Sequence, residues 1–99
     1  MNWIKVEGQD KGEIQVYALS TCIWCRRAKE MFESAQVAFS YIYVDRLEGE
    51  ERSEAMAEME SLTSDVAFPL IVYNRETVIK GFQEDALKGL IRCAQGQNS

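Results

Sequence analysis

At 99 residues, 46% apolar and with one proline, the chain is long enough for one domain and too short for two, and it holds no apolar run near the roughly 18 residues of a membrane span. Its net charge of −5 argues against nucleic-acid binding, which relies on Lys and Arg. Three cysteines and no histidine cannot fill a four-ligand zinc site without carboxylates, so no metal is expected, and there is no imidazole base for a Cys–His or Ser–His hydrolase.

The first eight residues lack a basic start followed by an apolar stretch, so no signal peptide is expected and a cytoplasmic location is the default. Trp3 to Val6 reads as a short extended piece, followed by a turn with Gly8 and Gly12 around Gln9-Asp10-Lys11. Glu13 to Leu19 alternates and then becomes continuously apolar, the pattern of a central strand. Ser20 and Thr21 are candidate caps for the next helix. That helix is expected from Cys22 or Ile23 to Ala35, with Cys25, Ala28, Met31, Phe32 and Ala35 on one apolar stripe. Glu30 and Glu33 fall one turn after Arg26 and Lys29, as ion pairs would require.

Val37 to Val44 is β-branched and aromatic, a second strand that Asp45 ends. After a turn at Leu47-Glu48-Gly49, Glu50 to Leu62 reads as a helix, with Met56 and Met59 as core filler. Between Asp45 and Asp65 eight acidic side chains stand against two basic ones, so this stretch carries −6 and the rest of the chain +1. The run reads as a solvated helix face, or else as a docking surface for a basic partner.

Thr63 to Phe68 is a loop leading to Pro69. Leu70 to Tyr73, a turn at Asn74-Arg75, and Thr77 to Ile79 read as a β-hairpin. Gly81-Phe82 breaks it, and Gln83 to Ala94 closes the domain as a helix, weakened by Gly89. Residues 95–99 read as a frayed tail. The order β-α-β-α-β-β-α makes the first two strands parallel and the last two antiparallel. The expected fold is α/β: a mixed four-stranded sheet with three helices packed on its faces, and Trp3–Val6 as a short extra N-terminal strand. The whole of 1–99 is one domain with its core over about 13–94.

Cys22-Ile23-Trp24-Cys25 stands after a strand and at the start of a helix. There the unpaired N–H groups and the helix dipole favour a thiolate, and Arg26, Arg27 and Lys29 add positive charge within the first two turns. Cys22 is the expected nucleophile on a substrate disulfide. Cys25, one turn on and within the apolar stripe, is the expected resolving thiol. A Cys-x-x-Cys inside a βαβ pattern points to redox chemistry rather than metal binding.

The chain also resembles a known family. Val16-Tyr17-Ala18-Leu19-Ser20-Thr21-Cys22-Ile23-Trp24-Cys25, Phe68-Pro69 and Lys80-Gly81-Phe82 look like three landmarks of the glutaredoxins and related redoxins, in matching order over about residues 13–92. The resemblance implies the thioredoxin fold and a dithiol thiol–disulfide oxidoreductase that reduces protein disulfides. It implies a cis Pro69 lying against the cysteines and a Phe68 whose backbone pairs with bound substrate. Gly81 and Phe82 become the far wall of the groove, Lys80 a cation beside it, and Thr21, Ile23 and Trp24 its near side. No bound cofactor is implied, with glutathione open as a reductant. The implied partners are disulfide-containing proteins and a reductase that is glutathione-, thioredoxin-reductase- or ferredoxin-linked; a monomer is expected, with no nucleic acid and no membrane.

Several positions depart from the family pattern. Leu19 stands where a lysine is common, Ala67-Phe68-Pro69 replaces Thr-Val-Pro, and Lys80-Gly81-Phe82-Gln83 replaces Gly-Gly followed by an acidic residue. Glu84 or Asp85 is left to meet a glutathione amine. Ile23-Trp24 replaces the usual Pro-Tyr, with Trp24 either contacting a partner or packing inward. Gly81-Phe82 is more like the glutaredoxin-shaped donors of ribonucleotide reductase, which draw electrons from a thioredoxin-reductase-type enzyme. The residues therefore leave the donor open. Cys93 reads as a half-buried spectator thiol; exposed, it would permit dimers or regulatory oxidation. Two other readings stay open: an iron–sulfur cluster held between two subunits by Cys22 and glutathione, and a redox-inert binding module using the helix from Glu50 to Leu62.

Overall fold

Ile14, Val16, Tyr17 and Ala18 are all buried, as a strand covered on both faces must be. They form β2 (Ile14–Ala18), the middle of a sheet whose other strands are β1 (Ile4–Val6), β3 (Phe39–Tyr43), β4 (Leu70–Tyr73) and β5 (Thr77–Lys80). The strand order is β1-β3-β2-β4-β5. β2 and β3 are parallel, and every other pairing is antiparallel. The computed structural model describes residues 3–10 and 12–95. The four expected strands are present, and the N-terminal piece joins them as a fifth by pairing Ile4 to Val6 with Tyr41 to Phe39. Lys11 and residues 96–99 of the expected tail lie outside the described residues.

Helices α1 (Ile23–Ser34) and α3 (Glu84–Ala94) cover one face of the sheet and α2 (Gly49–Leu62) the other. Ile14, Val16 and Ala18 meet Cys25, Ala28 and Phe32 of α1 and Leu87, Leu90 and Ala94 of α3. Tyr17 points to the opposite side, where Ile42, Leu70 and Val72 meet Ala55 and Met59 of α2. Alternation along β2 thus sends neighbouring side chains into two separate cores. Among the described residues no helix is long and apolar enough to cross a membrane.

Four local readings need correction. The helix cap is Cys22 rather than Ser20 or Thr21, because Ser20 gives both its N–H and its hydroxyl to Asp45. The second strand ends at Tyr43, and Val44–Arg46 tightens into a 3-10 turn that carries Asp45 to the loop before Cys22. Gln95 is not frayed: its Nε2 donates to the Ala35 carbonyl at 3.0 Å and ties the end of α3 to the end of α1. Cys93 is exposed rather than half-buried. The hairpin turn is as expected, with Asn74 and Arg75 both left-handed (φ 53° and 59°), the conformation of a turn whose twist matches its strands.

Candidate functional site

Position governs the chemistry of the two cysteines. Cys22 stands just outside α1 with extended backbone (φ −87°, ψ 117°), and its Sγ accepts the N–H of Cys25 at 3.3 Å. It does what Ser or Asp does at other helix starts, satisfying one of the unpaired donors of the first turn. A sulfur held there sits in the positive end of the helix dipole. Cys22 is partly accessible, whereas Cys25 is 1% exposed. Burial, then a hydrogen bond to Cys22, pushes the Cys25 thiol up to about 12. The Leu19 backbone and the Lys29 charge pull the other way. The pair is therefore unequal, with one sulfur reachable and capping the helix, the other neutral and enclosed.

Asp45 anchors the loop that presents Cys22. Its two carboxylate oxygens take the Ser20 N–H at 2.9 Å and the Ser20 hydroxyl at 2.5 Å. These bonds hold its carboxyl below the usual carboxylate range.

The second and third motifs converge on the same end of the molecule. The Phe68–Pro69 bond is cis and Pro69 is buried. Its carbonyl accepts the Gly81 N–H at 2.8 Å, and Leu70 pairs with Lys80 across the hairpin. Gly81 has φ +75°, where glycine is favoured. That turn delivers Phe82 to Trp24, ring centroids 5.2 Å apart. Arg27 lies over the other part of this pair, 5.3 Å from the Trp24 ring centre. Cys22, Phe68 and Phe82 pack against the same side of the core. Ile23 and Trp24 are 55% and 50% exposed, so Trp24 faces outward and leans on Phe82 rather than packing inward. Beside this platform an open groove of about 590 Å³ runs between α1 and α3, lined by Arg27, Met31, Phe82 and Lys88 among others.

Thr21, Arg26 and Lys80 are exposed around this centre. Glu84 is engaged with Lys88 at 3.1 Å, which leaves Asp85 as the freer carboxylate on the first turn of α3. The expected pairs Arg26–Glu30 and Lys29–Glu33 do not form among the described residues. Lys29 instead donates to the Tyr43 hydroxyl at 2.5 Å and lies over the Tyr41 ring. Lys29 is legible in the sequence as added positive charge, but neither its tyrosine partners nor the Asp45 contact stands out there, since both depend on the register of β3 against α1 and β2.

The glutaredoxin family model matches residues 14–78. Among solved structures the chain is similar to a glutaredoxin from Methanosarcina mazei Go1, at 38% identity and a TM-score of 0.82, over 92% of this chain and 88% of that one. It is similar to a methanoredoxin from Methanosarcina acetivorans, at 38% identity and TM-score 0.80, over 85% of this chain and 88% of that one. A glutaredoxin from Archaeoglobus fulgidus aligns at 36% identity and TM-score 0.75, over 82% and 87%. No curated protein matches the chain.

Proposed function

Because the chain belongs to the glutaredoxin family and carries a thiol-oxidoreductase fold, we propose that it is a dithiol electron carrier that reduces protein disulfides through Cys22 and Cys25. The observation that carries this reading is the inequality of the two sulfurs: Cys22 caps α1 and is reachable, while Cys25 is buried one turn behind it. The Cys22 thiolate attacks a substrate disulfide, forming a mixed disulfide and expelling the first substrate sulfur as a thiolate. Cys25 then attacks Cys22, forming the internal disulfide and expelling the second. Two electrons pass to the substrate, and an external reductant returns them.

Protein rather than small-molecule substrates are favoured by the surface beside Cys22. Ile23 and Trp24 are half exposed and Phe82 supports them, a patch that suits an apolar partner surface. Leu19 supplies no cation for a glutathione carboxylate, whereas Lys80 and Asp85 stand at the opposite wall. Arg26 and Arg27 set two exposed positive charges on the first turns of α1, where an anionic substrate would meet them. No bound cofactor is required by this cycle.

The test uses an oxidised protein disulfide and three donor systems in parallel: glutathione with its reductase, NADPH with thioredoxin reductase, and ferredoxin with its thioredoxin reductase. Turnover with at least one is expected, lost in Cys22→Ser and replaced by a trapped mixed disulfide in Cys25→Ser. Full activity in Cys22→Ser would overturn the assignment. Turnover with glutathione would assign Lys80 and Asp85 to its two ends; turnover with a reductase alone would make this a thioredoxin-like carrier in a glutaredoxin body.

A further inference from the structure

Lys29 is the fourth residue after Cys25 on α1, so the two side chains leave the same face of the helix, with Cβ atoms about 5–6 Å apart. Lys29 is half-buried, and its ammonium is held by aromatic partners. It lies 4.0 Å from the centre of the Tyr41 ring and 4.8 Å from that of Tyr43, and it donates to the Tyr43 hydroxyl. The two rings stack edge to face at 5.3 Å and are half-buried. No carboxylate among the described residues forms an ion pair with this ammonium. Aromatic faces and a phenol stabilise a cation without cancelling its charge. The field of Lys29 therefore reaches into the apolar surroundings of Cys25, where it is screened less than at the surface.

We infer that Lys29 is a positioning residue for the second half-reaction, its tyrosine-held ammonium drawing Cys25 to the thiolate that resolves the mixed disulfide. This inference rests on the dithiol reading above. In the step, Cys25 loses its proton to water and its thiolate attacks Cys22 Sγ. The Cys22–Cys25 bond forms, the bond from Cys22 to the substrate sulfur breaks, and the electron pair leaves on that sulfur, which takes up a proton.

The charged and titratable groups around this thiol are few. They are Cys22 at the cap of α1 and Lys29 on it. From β3 come Tyr41 and Tyr43, with Arg46 beyond the Tyr43 ring at 5.4 Å. The α3 side chains packed in the same core, Leu87, Leu90 and Ala94, carry no charge. Burial raises the Cys25 thiol, and Lys29 is the charged side chain that opposes this.

The size of the effect follows from two opposing trends. One nearby charge changes the thiolate fraction by about tenfold. A more acidic thiol is also a weaker nucleophile, with a Brønsted slope of about 0.4–0.5, which returns about threefold of that gain. Removing the charge should then slow resolution by about threefold.

The experiment uses the Cys93→Ser protein, because exposed Cys93 would otherwise react, and the neutral chromogenic disulfide dithiodipyridine. Attack by Cys22 releases one thione at a rate proportional to reagent. Resolution by Cys25 releases the second at a rate independent of reagent. In Lys29→Met the second phase should be about threefold slower at every pH below 10, with a parallel log-rate line, while the first changes by less than a factor of two. Lys29→Arg should restore the second phase. An unchanged second phase in Lys29→Met, or equal slowing in Met and Arg variants, would overturn the inference. Absence of any reagent-independent phase in the Cys93→Ser protein would overturn the dithiol reading itself, and the role of Lys29 with it.

Discussion

Asp45 holds Ser20 by two hydrogen bonds, and Ser20 stands two residues before the sulfur that caps α1. The carboxyl is held below its ordinary range chiefly by those bonds. A group so lowered contributes stability above its unfolded value, near pH 4, and loses that contribution as pH falls through the folded value. Because Asp45 is exposed, solvent limits the effect to at most about 1 kcal/mol. Asp45→Asn should therefore be less stable than the parent at pH 7 by up to that amount. The gap should narrow as pH falls below about 4, read by urea unfolding at pH 7 and in acid; a gap that stays constant in acid would remove the charge from the explanation. The unequal placement of the two cysteines was legible in their spacing, because three residues along a helix is one turn and a thiol at its start has a dipole to sit in. The contacts of Asp45 and Lys29 were not legible. Each acts across a distance in sequence, 25 and 14 residues, that only strand register can bring to contact. A side chain also has several partners of equal merit in a one-dimensional reading: Lys29 had Glu33 at the right spacing, and the tyrosines of β3 took it instead.

Elements were read well where burial covers both faces. β2, β4 and the inner stripes of the helices follow from apolar period alone, since no other placement hides Ile14, Val16, Leu70 and Ile71. The edges were harder. β1 is three residues long with Ile4 46% exposed, and besides Val6 on the core and Trp3 against Tyr17 it is held by backbone. Gln9 N–H donates to the Gln36 carbonyl at 2.8 Å and Ala38 N–H to the Gln9 carbonyl at 2.9 Å. Gly8 lets the two chains approach this closely: a Cβ there would lie 2.6–2.7 Å from backbone atoms of Gln36, Val37 and Ala38. Gly89 is the opposite case, a glycine in α3 whose added Cβ meets nothing within 4 Å. Gly89→Ala should raise stability by about 0.5–1 kcal/mol through helix propensity. Gly8→Ala should lower it by about 1–3 kcal/mol and raise amide exchange in Ile4–Val6 first. Chemical denaturation with hydrogen exchange separates the two, and equal effects at both positions would show that backbone approach does not hold β1.

For the molecule as a whole, charge is divided between its faces. Glu50, Glu51, Glu54, Glu58 and Glu60 are exposed on α2, on the far side of the sheet from α1. Arg26 stands one turn from Cys22, and Arg27 over Trp24. The acidic run was plain in the chain, but its separation from the cysteines required knowing that β-α-β places α1 and α2 on opposite faces. Two helix–sheet layers put about 20 Å between them. The Debye length is about 30 Å at 0.01 M salt and about 10 Å at 0.1 M. In dilute salt an anionic disulfide therefore meets the whole net charge of −5 and is repelled. At intermediate salt α2 is screened and only the arginines act. In high salt neither does. The rate with an anionic disulfide, divided by that with a neutral one, should then rise by about two- to threefold from 0.01 to 0.1 M salt and fall again by about 1 M. Replacing Glu50, Glu51 and Glu54 by Gln should flatten the rise, and replacing Arg26 and Arg27 by Gln should remove the maximum. A ratio that climbs steadily to 1 M in the parent would mean that the net charge dominates at every distance and that the arginines add no local attraction at Cys22.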